Sequence, residues 1–317
     1  MRLAILDDFQ NAVRSVADWS VLEDRVDITV FNDHIEDVGA TAARLEPFEI
    51  VVCIRERTKF SRALFEKLPN LKLLVTGGMR NLGIDLDGAR DHGVVVCGTE
   101  SLGYGTAELT WGLLLATVRN IPREVESVRA GGWQVGLGVG LNGKTLGIIG
   151  LGRQGTPVAG YGKAFGMNVV AWSQNLTAAK CAEHGVELAT SLDDLLMRSD
   201  MVSIHVILSE RTEGLIGAAQ LAKMKSTAYL INTSRGPIVD EAALIAAVEA
   251  GNIAGAGLDV FDEEPLPSDH PYRRIDAIVA TPHLGYTMRE GYENFFGQGI
   301  EDIAAWFDGK PVRIMNT

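Results

Sequence analysis

The chain has 317 residues, 46% of them hydrophobic, enough to bury a substantial core in two domains or one large α/β unit. Its formal net charge of -12 opposes the phosphate-neutralising surface that nucleic-acid binding requires, and no basic run offsets it. Nucleic acid and anionic membrane are therefore not expected partners.

In chain order, "MRLAILDDF" reaches Asp7 and Asp8 after a short apolar run, too short for a signal-peptide core. The longest apolar stretch, around Leu113 to Val118, falls far short of a membrane span, so a cytoplasmic location is expected. Five short β-branched runs, "LAILD", "VDITVF", "EIVVCIR", "LKLLVTGG" and "GVVVCG", then alternate with helical patterns, which predicts a parallel sheet with crossover helices. Cys53 and Cys97 end two of these runs and read as core filler. Cys181 stands far from both, without a C-x-x-C spacing. "TAELTWGLLLATVRN", Thr106 to Asn120, predicts a long, mostly buried helix that links two units.

A second alternating series follows: "KTLGIIG", "MNVVAWS", "DMVSIHV", "TAYLINTS", "AGAGLDVF" and "AIVATPH". Six strands with intervening helices fit one dinucleotide-binding sheet. The segment "MREGYENFFGQGIEDIAAWFDG" is helical and lies outside that series, so it is expected to pack back on the first unit. The resulting division is 1–98 plus 289–317 as one domain and 99–288 as the dinucleotide-binding domain.

"TLGIIGLGRQG" places Gly150, Gly152 and Gly155 in G-x-G-x-x-G spacing between a strand and a helical run. Gly150 permits the tight turn, Gly152 lets a pyrophosphate approach the backbone, and Gly155 allows close helix-to-strand packing. The helix N-terminus adds amides and partial positive charge. Arg153 and Gln154, inside this turn, are further cofactor candidates. An acid for the adenine ribose is expected near Ser173, 18 residues after Gly155, yet Ser173, Gln174 and Asn175 are neutral. Without a carboxylate to repel a 2′-phosphate, NAD and NADP both stay open. No Arg stands beside Ser173 in the sequence, and Lys180 lies further along the next helix.

Three later turns each carry an ionisable group after a strand: Arg235 in "INTSRGPIVDE", Glu264 in "LDVFDEEPLP" and His283 in "VATPHLGY". Ligands bind outside the carboxyl ends of strands in open parallel sheets, so these groups are positioned to converge. Histidine moves protons near neutral pH, a carboxylate holds and tunes its ring, and an Arg fork grips a carboxylate or polarises a carbonyl. Alone, each reads more simply as a surface or capping residue; their shared placement is what gives them weight.

The stretches "GKTLGIIGLGRQG", "MKSTAYLINTSRGPIVDEAAL", "AGAGLDVFDEEPLP" and "TPHLG" resemble the signature segments of the D-isomer-specific 2-hydroxyacid dehydrogenase family, with "RERTKF", "LPNLKLLVTGG" and "TAEL" matching weaker segments in order. The resemblance implies an α/β fold of two Rossmann-like domains with doubly wound parallel sheets, a cleft between them, and a homodimer. It implies that Arg235 binds and polarises a 2-oxo acid, His283 protonates its carbonyl oxygen and Glu264 tunes His283. Asp259 would take the nicotinamide carboxamide, Thr106 and Thr233 would lie along the cofactor, and amides near Gly77, Gly78 and Met79 would receive the substrate carboxylate. The implied reaction is NAD(P)-dependent interconversion of a small-molecule 2-oxo acid and a D-2-hydroxy acid by hydride transfer.

Departures from the family pattern mark the pocket. "GGMRNLGID" puts Met79 and Arg80 where a second glycine and small residues are usual. Arg80 reads a second anionic group if it faces the cleft and does nothing if it faces solvent. Arg55 is a pocket-wall candidate, with a surface salt bridge as its simpler role. Ile207 replaces a usual proline, and His205 is expected to pack rather than to catalyse. The remaining histidines lack metal-ligand spacing, so no metal is expected. A phosphite-type dehydrogenase and a dinucleotide-sensing, corepressor-like scaffold are the alternatives; formate oxidation is disfavoured, because Gln is usual there at the position of Glu264.

Overall fold

The computed structural model describes Met1–Thr317, which form two compact units: Met1–Leu102 with Met288–Thr317, and Gly103–Thr287. The breaks fall a few residues from the strand and helix ends at which the sequence reading divides the chain.

The first unit holds β1 (Arg2–Ile5), β2 (Asp27–Val30), β3 (Ile50–Cys53), β4 (Leu73–Thr76) and β5 (Val95–Gly98), all parallel, in the order β2-β1-β3-β4-β5. Every residue of β3 and β4 is buried, which explains why these strands read as continuous apolar runs. The helix Arg289–Phe307 belongs to this unit: Phe296 is fully buried and meets Trp19 edge to face at 5.9 Å. The segment after it lies along β5, where Gly98 N–H donates to Arg313 O at 3.0 Å and Met315 N–H to Val96 O at 2.8 Å.

The second unit holds β6 (Thr145–Ile149), β7 (Asn168–Trp172), β8 (Glu187–Leu188), β9 (Met201–Ile204), β10 (Tyr229–Asn232), β11 (Gly255–Leu258) and β12 (Ile278–Ala280). They form one parallel sheet in the order β12-β11-β10-β9-β6-β7-β8. Six of these strands match the sequence expectation. The seventh, β8, is two residues long, too short for any periodicity to reveal. The expected buried helix spans Gly105–Val118 and packs on β10 and β11. It requires Gly257 in β11, because a Cβ there would lie 2.6 Å from Thr117 Oγ1 and 3.0 Å from Leu113 Cγ. No helix in either unit is long and apolar enough to cross a membrane.

Register positions the site. Trp172, Ile149, Ile204, Asn232, Leu258 and Ala280 form one level row across β7, β6, β9, β10, β11 and β12. The next residues along each strand are Ser173, Gly150, His205, Thr233, Asp259 and Thr281. Strand order reverses at β6, so the Gly-rich turn sits at the switch point where open α/β sheets take ligands.

Candidate active site

The three glycines behave differently. Gly150 has φ of 101°, and a Cβ there would lie 2.8 Å from His205 O just past β9. At Gly155 a Cβ would collide with Gly150 O, so the helix Gly155–Ala164 approaches β6 only because no side chain intervenes. Around Gly152 a Cβ would meet no heavy atom within 4 Å. That open space, facing the first turn of a helix whose N-terminal amides need acceptors, fits a pyrophosphate. Gln154 Oε1 is buried there without a hydrogen-bond partner, and the Arg153 side chain lies beside Gly103.

At the end of β7, Ser173 is half-buried and Gln174 exposed; Gln174 Nε2 donates to the carbonyl of Arg211 at 3.5 Å. Lys180 pairs with Glu183 at 2.8 Å on its own helix. His205 pairs through Nε2 with Ser203 Oγ at 2.8 Å, and its Nδ1 is buried without a partner. Burial lowers its ring to about 3, so it stays neutral and packs against the Gly-rich turn.

His283 and Glu264 come together: Nδ1 meets Oε2 at 2.5 Å, although 19 residues separate them. The other carboxylate oxygen, Oε1, accepts from Phe261 N–H at 2.9 Å, so both oxygens are held. With Nδ1 turned to the carboxylate, Nε2 is the ring atom left to exchange a proton. His283 sits in the left-handed region with φ of 52°, a conformation that costs a non-glycine residue about 1–2 kcal/mol. The Tyr286 ring meets it edge to face at 5.3 Å.

Arg235 follows β10 with its backbone extended, NH1 donating to Ser234 O at 2.7 Å. Asn232 sets this turn, its Nδ2 donating to Arg235 O at 2.9 Å and its Oδ1 accepting from Ser234 N–H at 3.0 Å. Gly236 must be glycine, since a Cβ would collide with the backbone of Phe261. Thr233 is buried and shares a hydroxyl hydrogen bond of 2.7 Å with Thr110.

Asp259 has a structural task that its position in "LDVF" does not announce. It is fully buried, and Oδ1 accepts from Leu284 N–H and Thr281 Oγ1, each at 2.7 Å, while Oδ2 accepts from Gly285 N–H at 2.9 Å. Burial pushes its carboxyl up, opposed by these donors. Thr106 Oγ1 closes the same turn by donating to Gly285 O at 2.9 Å. Both residues therefore hold the turn that carries His283.

In the first unit, Arg55 follows β3 and also lies in the left-handed region, φ 55°. Its NH1 donates to Gly77 O at 3.1 Å and its Nε lies 3.4 Å from Glu56 Oε2. Gly78, φ 88°, has no room for a Cβ, which would collide with that guanidinium. The Gly78 amide donates to Thr99 Oγ1 at 3.2 Å. Met79 and Arg80 are exposed.

The family model for the NAD binding domain of D-isomer specific 2-hydroxyacid dehydrogenases matches residues 111–285. A glyoxylate reductase of Aeropyrum pernix is 40% identical over 264 residues, covering 80% of this chain and 78% of that protein. A D-3-phosphoglycerate dehydrogenase of Methanocaldococcus jannaschii is 39% identical over 243 residues, 76% of this chain and 46% of that protein. The chain spans about half the length of the D-3-phosphoglycerate dehydrogenases it matches. The crystal structure of a phosphoglycerate oxidoreductase from Vibrio cholerae O395 superposes with a TM-score of 0.93 at 36% identity, covering 98% of this chain and 99% of that one. On its sequence and on its fold alike, this chain belongs to the D-isomer specific 2-hydroxyacid dehydrogenase family.

Proposed function

We propose that the chain is a nicotinamide-dinucleotide-dependent oxidoreductase that interconverts a 2-oxo acid and a D-2-hydroxy acid. The observation that carries this reading is the His283–Glu264 pair at 2.5 Å, on turns that leave the same strand row as the Gly-rich turn. A bound nicotinamide dinucleotide supplies or accepts the hydride. His283 Nε2 gives a proton to the carbonyl oxygen during reduction and takes it back during oxidation, while Glu264 holds the ring and balances the imidazolium. Arg235 stabilises the developing alkoxide, a type of interaction worth about 3 kcal/mol per donor.

Gly150, Gly152, Arg153, Gln154 and Gly155 are proposed to hold the pyrophosphate, with Thr233 beside the nicotinamide. Arg55 and the amides of Gly77, Gly78 and Met79 are proposed for the substrate carboxylate, with Met79 and Arg80 shaping substrate choice. Ser173 and Gln174 are proposed to read the ribose, where the missing acid supports tolerance of NADP.

A homodimer is proposed as well. The helix Ile121–Arg129 buries none of its residues, and the segment after it exposes Trp133 by 74% and Leu137 by 97%. So much exposed apolar surface supports burial against a second copy.

The test is steady-state reduction of a panel of 2-oxo acids, glyoxylate, hydroxypyruvate, pyruvate, 3-phosphohydroxypyruvate and bulkier aryl acids, with NADH and NADPH in parallel. Turnover of at least one member is expected. A folded protein that binds dinucleotide and reduces none of them refutes the proposal.

A further inference from the structure

The sequence leaves the adenine ribose without a charged partner. We propose that Arg211, reaching in from the loop after β9, reads the 2′-phosphate and makes this chain select NADP over NAD; this rests on the dinucleotide-dependent reading above. The direction of the cofactor is set by the sheet. His283 and Arg235 leave β12 and β10, on one side of β6, so a nicotinamide that meets them puts the adenosine half on the other side, toward β7.

The loop after β9 crosses to that side. β9 and β7 flank β6, about 10 Å apart at ordinary strand spacing. His205 O and Val206 Cγ1 lie against Gly150, Leu208 packs on the same core as Trp172, and Gln174 Nε2 reaches the Arg211 carbonyl. The turn that carries Arg211 is fixed by its own hydrogen bonds: Ser209 N–H donates to Thr212 Oγ1 at 2.8 Å, Thr212 Oγ1 donates to Ile207 O at 2.6 Å, and Glu213 N–H donates to Ser209 O at 2.9 Å.

Arg211 is exposed and its guanidinium pairs with no carboxylate, whereas Lys180, on the helix after β7, is held by Glu183. A guanidinium matches a phosphate monoester with two parallel N–H···O bonds, which a lysine cannot do. Ser173 adds a neutral hydroxyl in place of the acid that would repel the phosphate. Glu210 and Glu213 flank Arg211 on the same exposed turn and limit the selectivity to a moderate one.

The test is equilibrium titration of the full chain with NADPH and NADH, read as the ratio of the two Kd values, in wild type, Arg211→Glu and Arg211→Lys. Wild type is expected to favour NADPH by about tenfold, with Arg211→Glu erasing that preference and Arg211→Lys retaining part of it. Competition by 2′,5′-ADP against 5′-ADP on the wild type gives the same answer should a variant fail to fold: 2′,5′-ADP is expected to bind more tightly. An unchanged ratio in folded Arg211→Glu, equal competition by the two nucleotides, or a wild-type preference for NADH overturns the proposal. Reduction of 2-oxo acids with NADH and NADPH alike would remove the role of Arg211 and leave the dehydrogenase reading standing. Arg211-dependent NADPH selectivity without turnover of any 2-oxo acid would do the reverse.

Discussion

Asp259→Ala tests whether the turn that carries His283 is held from beneath. The substitution removes the acceptor of three hydrogen bonds at 2.7, 2.7 and 2.9 Å. Thr281 Oγ1 keeps a weak contact with Leu258 O at 3.5 Å, but the amides of Leu284 and Gly285 lose the only acceptor they have here. Two stranded amides at about 1–3 kcal/mol each give a gross loss of about 2–6 kcal/mol. Relief from burying a carboxylate whose pKa burial raises offsets part of this, leaving about 1–4 kcal/mol. Such a loss is within the usual 5–15 kcal/mol of domain stability, so the variant should fold at 25 °C. His283, freed from its left-handed conformation, should then drift, and a shift of about 1 Å costs roughly a hundredfold in rate. Urea denaturation together with kcat at saturating cofactor measures both effects. Stability within about 0.5 kcal/mol of wild type and an unchanged kcat would refute the reasoning.

Replacing His283 or Arg235 by alanine should lower turnover about a hundredfold or more, and wild-type rates would remove that residue from the mechanism. The glycines should separate. Gly155→Ala, forced against Gly150 O, should cost about 1–3 kcal/mol in a denaturant melt, whereas Gly152→Ala should melt like wild type and bind dinucleotide weakly. Equal melting of the two variants would contradict the packing assigned to Gly155. In the first unit, His34 Nδ1 bonds the buried carboxylate of Asp7 at 2.8 Å, which raises its pKa above 6.5 against the opposing effect of burial. A raised pKa means that the folded state binds the proton more tightly. The contribution is therefore full below pH 6.5 and is lost as pH rises through the folded value. The stability gap between wild type and His34→Asn should shrink across that window, and a gap that widens with pH would refute the assignment.

The sequence by itself determined every strand but β8 in chain order, the Gly-rich turn and the residues placed just past the other strand ends. These depend on near neighbours: apolar alternation, turn glycines and the fixed two-residue repeat of a strand. The meeting of Glu264 and His283 across 19 residues was legible too, because parallel strands bring their carboxyl ends to one edge. Tertiary structure decided what no local pattern carries. Asp259 accepts from Gly285, 26 residues away, Thr106 clamps the same turn from 179 residues away, and Thr99 occupies the Gly78 amide. Arg211 meets Gln174 across a third strand, 37 residues apart. Which donor a carboxylate or amide finds depends on strand neighbours and register, and these are fixed only when the whole sheet has assembled.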